Sequence, residues 1–137
     1  MDIIPGVKTY DPTLVSGIFG GAILQSWNSI TVEVTEDRFT FTKGTTGEVT
    51  RTKNPVMMAN ITVNLPQTSE DNAIFSAFEV AGNTISCMVV DRGGRSIHVV
   101  PQGTFTKPAT AEYGREAGER EWVITGQLKD PSIVGGN

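Results

Sequence analysis

His98 is the single histidine of this chain and Cys87 its single cysteine. Acyl transfer by a Ser-His-Asp set needs a base between a nucleophile and an orienting carboxylate, and Ser96 and Asp91 are the nearest candidates. Ser96 and His98 fall two apart on a predicted strand and so share a face. That spacing is common in any strand and makes no triad. Zinc sites of the usual kinds need several His or Cys ligands, and two in total are too few. Met57-Met58 is a thioether pair with no histidine nearby, which suits adaptable packing better than metal ligation. None of the glycine turns carries the phosphate-cradling spacing of a P-loop or a dinucleotide fold. The run Arg115-Glu116 and Glu119-Arg120-Glu121 alternates in sign, as a solvated face or a set of interfacial ion pairs does, each pair worth about 0–1 kcal/mol. The expectation is a protein that binds or builds, with no catalytic residue, metal or cofactor.

The bulk properties agree with that class. A chain of 137 residues makes one domain with a core of its own. A formal net charge of −4 argues against gripping nucleic acid through basic patches. No apolar run approaches the roughly 18 residues of a membrane span. Met1-Asp2-Ile3-Ile4-Pro5 lacks the basic start and apolar core of a signal peptide. A lone cysteine between Ile85 and Val89 reads as a small buried hydrophobe and fits a reducing cytoplasm.

One stretch organises the rest. Ile61, Val63 and Leu65 alternate with Asn60, Thr62 and Asn64, the period of a strand with one buried face. Pro66 closes it. Thr68 or Ser69 offers an N-cap oxygen, and Glu70 and Asp71 put negative charge in a first helical turn. Ala73, Ile74, Ala77, Phe78 and Ala81 form a stripe at helical spacing, so a helix is predicted over about 69–81, stopped by Gly82-Asn83. Phe75 lies off that stripe. It is either a ring at the edge of the core or a contact to a neighbouring subunit, where aromatics are enriched.

The remainder reads as β. Gly20-Gly21 between apolar runs predicts a hairpin. Ile30–Val34 and Phe39–Thr42 alternate, with a bend at Glu36-Asp37 and a turn at Lys43–Gly47. Glu48–Lys53 alternates weakly, with Val49 its sole aliphatic. A threonine-rich ribbon of this kind is marginal alone. It is a mobile loop, or another chain completes it. Thr84–Val90 is apolar on both faces and predicts a central, doubly covered strand. Ser96–Val100 returns after a turn at residues 91–95, Pro101 kinks the chain before Thr104–Lys107, residues 108–121 form a polar connection, and Trp122–Leu128 is the last strand.

Several segments in order resemble the tail tube protein of contractile-tailed bacteriophages. They are Lys8-Thr9-Tyr10-Asp11-Pro12, the Gly20-Gly21 hairpin, Ile30-Thr31-Val32-Glu33, Glu36-Asp37-Arg38-Phe39-Thr40 and Gly47-Glu48-Val49-Thr50-Arg51. The passage Ile61–Ser69 with Asn72, then Asp91-Arg92-Gly93, Lys107-Pro108, Arg115-Glu116 and Arg120–Ile124 continue the likeness. Each piece is unspecific; their collinearity over nearly the whole chain makes the resemblance.

That resemblance implies a mainly β fold, a sandwich or barrel of two packed antiparallel sheets with one α-helix, whose strands complete an inner barrel in a hexameric ring. Residues 1–137 would be a single tail-tube domain with an arm at 1–12, an inter-ring loop at 43–58 and a tail at 129–137. The partners implied are further copies of the chain, the tail sheath, the baseplate and tail terminator proteins, and double-stranded DNA passing without specific binding; no membrane is involved, and the location is the virion tail. Thr31, Glu33, Thr35, Arg38, Thr40, Thr42, Glu48 and Thr50 would face the lumen. Val32, Val34, Phe39, Phe41 and Val49 would face the subunit core. Tyr10, Asp11, Lys43, Gly44, Thr45, Arg51, Lys53 and Asn54 would reach the next ring, and Phe75 the next subunit within a ring. Related inner tubes serve pyocins and type VI secretion. A monomeric β-sandwich that binds a small ligand is the reading from a different class.

Overall fold

The computed structural model describes Gly6, residues 9–92 and residues 96–129. A 3-10 turn at Pro12–Leu14 leads into β1 (Val15–Phe19) and β2 (Ala22–Ile23). Then come β3 (Ser29–Val34), β4 (Phe39–Lys43), β5 (Val49–Lys53) and β6 (Met58–Pro66). The helix α1 (Asp71–Ala81) precedes β7 (Ile85–Asp91), β8 (Ser96–Phe105) and β9 (Glu119–Gln127). Seven strands form one sheet in the order β2-β1-β7-β8-β9-β6-β3, and β4-β5 form a separate two-stranded ribbon. Every pairing is antiparallel.

The expected strands form where alternation is strict. Along β6, Ala59, Ile61, Val63 and Leu65 are buried, while the residues between them are half-buried. Gly20 and Gly21 take φ of 60° and 85°, the left-handed pair that a primed two-residue hairpin needs, and Phe19 faces Ala22 across it. Gly82 ends α1 at φ 70°, its N–H donating to the Phe78 and Glu79 carbonyls.

The expected sandwich of two packed sheets is instead one sheet that curls on itself, with the second sheet a ribbon standing off it. β1 and β3 lie five strands apart in sheet order, about 24 Å if the sheet were flat. Yet a Cβ placed on Gly17 of β1 would lie 3.1 Å from Cδ1 of Ile30 on β3. The curl is made at β8. Its first half pairs with β7, its second half with β9, and Gly103 pairs with both Ile85 and Gly126. Side chains at Gly103 and Gly126 would collide with Ile124 and Val100, at 2.7 and 2.5 Å, so only glycine lets the strands cross this closely. β2 and β3 are not paired to each other, and no barrel closes.

Two further expectations change for local reasons. Pro101 does not break the chain, and β8 runs through it. The register of β7 against β8 jumps between Ile85 and Cys87, leaving an extra residue on β8 just where proline has no N–H to offer. β7 is central but covered on one face only: Ile85, Cys87 and Val89 are buried, while Ser86 is exposed and Met88 and Val90 are half-buried.

The helix docks by a different face from the one its alanines suggested. Phe75 is 1% exposed and is the anchor. Its ring meets Phe19 at 5.3 Å, Phe105 at 5.2 Å and Trp122 at 5.9 Å. Ala73, Ile74, Ala77 and Ala81 are exposed, and Phe78 is half-buried. One large aromatic held by three others outweighs a stripe of methyl groups, since burying a phenylalanine is worth about 1.5–3 kcal/mol and each aromatic pair adds about 0.5–1.5 kcal/mol. Phe75 therefore belongs to the chain's own core, which corrects its expected place at a contact with a neighbouring copy.

Candidate assembly surfaces

Polar bonds fix α1 in place and, through it, the sheet that carries the surfaces. Glu70 holds the cap position without a side-chain bond, while Ser69 Oγ accepts from Asp71 N at 3.3 Å. Asp71 is 2% exposed, and its Oδ2 accepts from Gln25 N at 2.8 Å and Ser26 N at 3.0 Å, tying the helix to the segment after β2. Asn72 donates to the Pro66 and Ser69 carbonyls, and its Oδ1 accepts from Trp122 Nε1 at 3.0 Å.

With one face turned to the core, the opposite face of β3, β6 and β9 is half-buried to exposed, its β9 end bordered by Lys107, Pro108, Thr110 and Glu112 of the loop after β8. Thr31 and Glu33 lie there, in register with Thr62 and Asn60 of β6, which face Val123 and Thr125 of β9. Thr125 Oγ1 donates to Asn60 Oδ1 at 2.8 Å, and Asn64 Nδ2 to Ser29 Oγ at 2.8 Å, so the amides and hydroxyls hold one another flat. Glu119 and Glu121 continue this face, Glu119 Oε1 accepting from Asn28 Nδ2 at 2.7 Å. The outward positions of these three strands contain Glu33, Glu119 and Glu121 and no lysine or arginine.

The ribbon is the second surface. Opposed residues of an antiparallel pair share a face. Thr40 and Thr42 oppose Thr52 and Thr50 on one side, a ladder of hydroxyls. Phe39, Phe41 and Lys43 oppose Lys53, Arg51 and Val49 on the other. Arg51 lies over the Phe39 ring at 4.3 Å. Phe41 and Val49 are 70% and 62% exposed, which corrects their expected place in the subunit core. Val32 and Val34 do pack against that core, and Phe39 is half-buried.

No family model matches this chain, and neither does any curated protein.

The expected lumen set thus falls in two places. Thr31 and Glu33 share the sheet face, while Thr40, Thr42 and Thr50 share the ribbon's hydroxyl face. Thr35 is exposed and donates to the Met58 carbonyl through both N and Oγ1. Arg38 and Glu48 are exposed at the base and tip of the ribbon. Of the expected inter-ring set, Lys43, Gly44 and Thr45 form the tip, with Gly44 N donating to the Glu48 carbonyl at 2.7 Å. Arg51 and Lys53 lie on its aromatic face. Asn54 is occupied at the base: its N donates to the Arg38 carbonyl, its Nδ2 to Glu36 Oε2, and its Oδ1 accepts from Val56 N. Tyr10 is 61% exposed, and Asp11 accepts from Thr13 Oγ1 at 2.6 Å, which holds its carboxyl below the usual range. The rest of the arm, at 1–5 and 7–8, and the tail at 130–137 lie outside the described residues.

Sequence reasoning missed Asn60, Asn64, Glu119, Glu121 and Thr125 as one surface. Their alternation was visible, but only the pairing of β6 with β9 puts them side by side.

The remaining chemistry is thin. Ser96 and His98 both point to the inner side of β8, and His98 Nδ1 is buried without a hydrogen-bond partner among the described residues. Cys87 is fully buried, and desolvation pushes its thiol up to about 12, so it is inert at neutral pH. A shallow cleft of about 450 Å³ runs between α1 and the loop after β8, lined by Asn72, Ser76, Tyr113, Arg120 and Trp122.

Proposed function

We propose that this chain is the subunit of a hollow tube, the tail tube of a contractile-tailed bacteriophage, in which stacked hexameric rings enclose a channel for DNA. One observation carries the reading. A two-stranded ribbon exposes Phe41 and Val49 at 70% and 62%, pairs with nothing but itself among the described residues, and follows directly on an edge strand, β3, that is paired on one side only, to β6. Isolated hairpins are marginal in water, and open edges invite pairing with further chains. Copies of the same chain supply the missing partners and at the same time remove the edge. The collinear resemblance in sequence names the assembly.

In this reading the face with Thr31, Glu33, Asn60, Thr62, Glu121 and Thr125 lines the lumen. Six subunits at −4 each bring −24 formal charges to a ring. At a screening length of about 8 Å, carboxylates on a snug bore repel phosphates at the wall. Cations there would bind the backbone and stall transit. The ribbon, with Lys43, Arg51 and Lys53, reaches an adjacent ring. The sheath surrounds the tube, the baseplate and terminator close its ends, and the assembly belongs to the virion. The inner tube of a pyocin or a type VI secretion system would use the same surfaces, and genomic neighbours separate these cases.

Negative-stain electron microscopy of the purified full chain tests the proposal. Rings or filaments with a central pore are expected. A monomer at every concentration in size-exclusion chromatography overturns it and turns attention to the cleft at Tyr113 and Arg120 as a ligand site.

A further inference from the structure

The free face of the sheet changes character half-way across. On β3, β6 and β9 it is polar. On β2, β1, β7 and β8 an apolar row crosses it: Ile23 opposes Ile18, Ile18 opposes Met88, and Met88 opposes Val99, four strands in all. Val90 and Ile97 form the next row, with Ser16 beside Val90 on β1. Ile23 and Ile97 are 58% and 56% exposed. The helix packs on the opposite side, against Phe19, Phe105 and Trp122, and no strand or helix among the described residues covers this patch.

The geometry points to the ribbon of a second copy as what covers it, its Phe41 and Val49 seated on Ile18, Ile23, Met88 and Ile97. This rests on the tube reading and names the acceptor surface within it. The dimensions agree: strands of five residues run about 17 Å, and a row across four strands spans about 14 Å. Within one chain the two faces do not meet, since both stay exposed. Charge favours the encounter between copies. Residues 38–53 hold Arg38, Lys43, Arg51 and Lys53 against Glu48, a net of +3, so with −4 overall the remainder carries −7. A cationic ribbon is drawn to the anionic body of another copy. Because donor and acceptor are different parts of one chain, the contact is head-to-tail and propagates from copy to copy.

The test separates the two ideas. Phe41→Asp removes the donor, and Ile97→Asp or Ile23→Asp removes the acceptor; circular dichroism checks that each full-length variant folds. By sedimentation velocity each variant alone is expected to stop at single rings or smaller species where the native chain forms stacked assemblies. A mixture of Phe41→Asp with Ile97→Asp is expected to associate one to one and grow no further, because one intact patch and one intact ribbon remain. As a second readout, Val49→Cys mixed with Ile97→Cys is expected to cross-link under mild oxidant, with Cys87 too deeply buried to take part. Acceptor variants that assemble like the native chain, or cysteine pairs that stay apart while it assembles, overturn the assigned patch and leave the tube standing. A native chain that never assembles overturns both.

Discussion

Trp122 Nε1 donates to Asn72 Oδ1 at 3.0 Å, joining the first turn of α1 to the middle of β9. The same amide donates to carbonyls at Pro66 and Ser69, so one side chain fixes strand end, helix start and sheet centre. Asn72→Ala leaves the indole N–H and two carbonyls without this partner. A loss of about 2–3 kcal/mol is expected in urea denaturation followed by tryptophan fluorescence. Asn72→Asp keeps an acceptor for the indole, and a smaller loss is expected from it.

Phe75→Ala empties the centre of the aromatic cluster and is expected to cost about 3–5 kcal/mol. Phe75→Asp puts a carboxylate in the same place and is expected to unfold the chain outright. On the surface reading of Phe75 that variant would have been a folded monomer. Circular dichroism decides between the two.

Gly126→Ala places a methyl group 2.5 Å from Val100 Cγ1 and 2.8 Å from the Gln102 carbonyl oxygen, where β8 and β9 cross. A loss of about 1–3 kcal/mol is expected. Gly44→Ala is the control: its nearest neighbours lie at 3.8 Å, and thermal melting should barely move.

Cys87 gives a pH signature. Burial holds its thiol protonated up to about 12, whereas the unfolded chain releases that proton near the ordinary thiol value. Above roughly pH 9 the unfolded state therefore binds fewer protons than the native one, and stability falls as pH rises toward the folded value. Denaturant midpoints should drop between about pH 9 and about pH 12, with a shallower drop in Cys87→Ala. A thiol reagent near neutral pH should react only as the chain opens.

Phe41→Thr should leave folding stability within about 0.5 kcal/mol of the native chain, because the ring is 70% exposed. Equal denaturant midpoints, together with weakened assembly in sedimentation, are the expected pair of results.

Local pattern alone determined the β class, the Gly20-Gly21 hairpin, the buried set of β6, the existence of α1 and its stop at Gly82. These follow from periodicities and turn conformations that a few neighbouring residues dictate. Which side of α1 docks was a tertiary matter: its alanines set the more regular stripe, but Phe19, Phe105 and Trp122, brought from three distant strands, made a site that only Phe75 could fill. The same holds for the surfaces. Alternation marked Thr31 and Glu33 as outward, yet only pairing through β6 to β9 joined them to Glu121 and Thr125, and only the order of the sheet split its free face into polar and apolar halves. The ribbon was legible as a thin, threonine-rich hairpin. That its Phe41 points away from the core depended on the sheet curling at Gly103 and Gly126 to close that core without it.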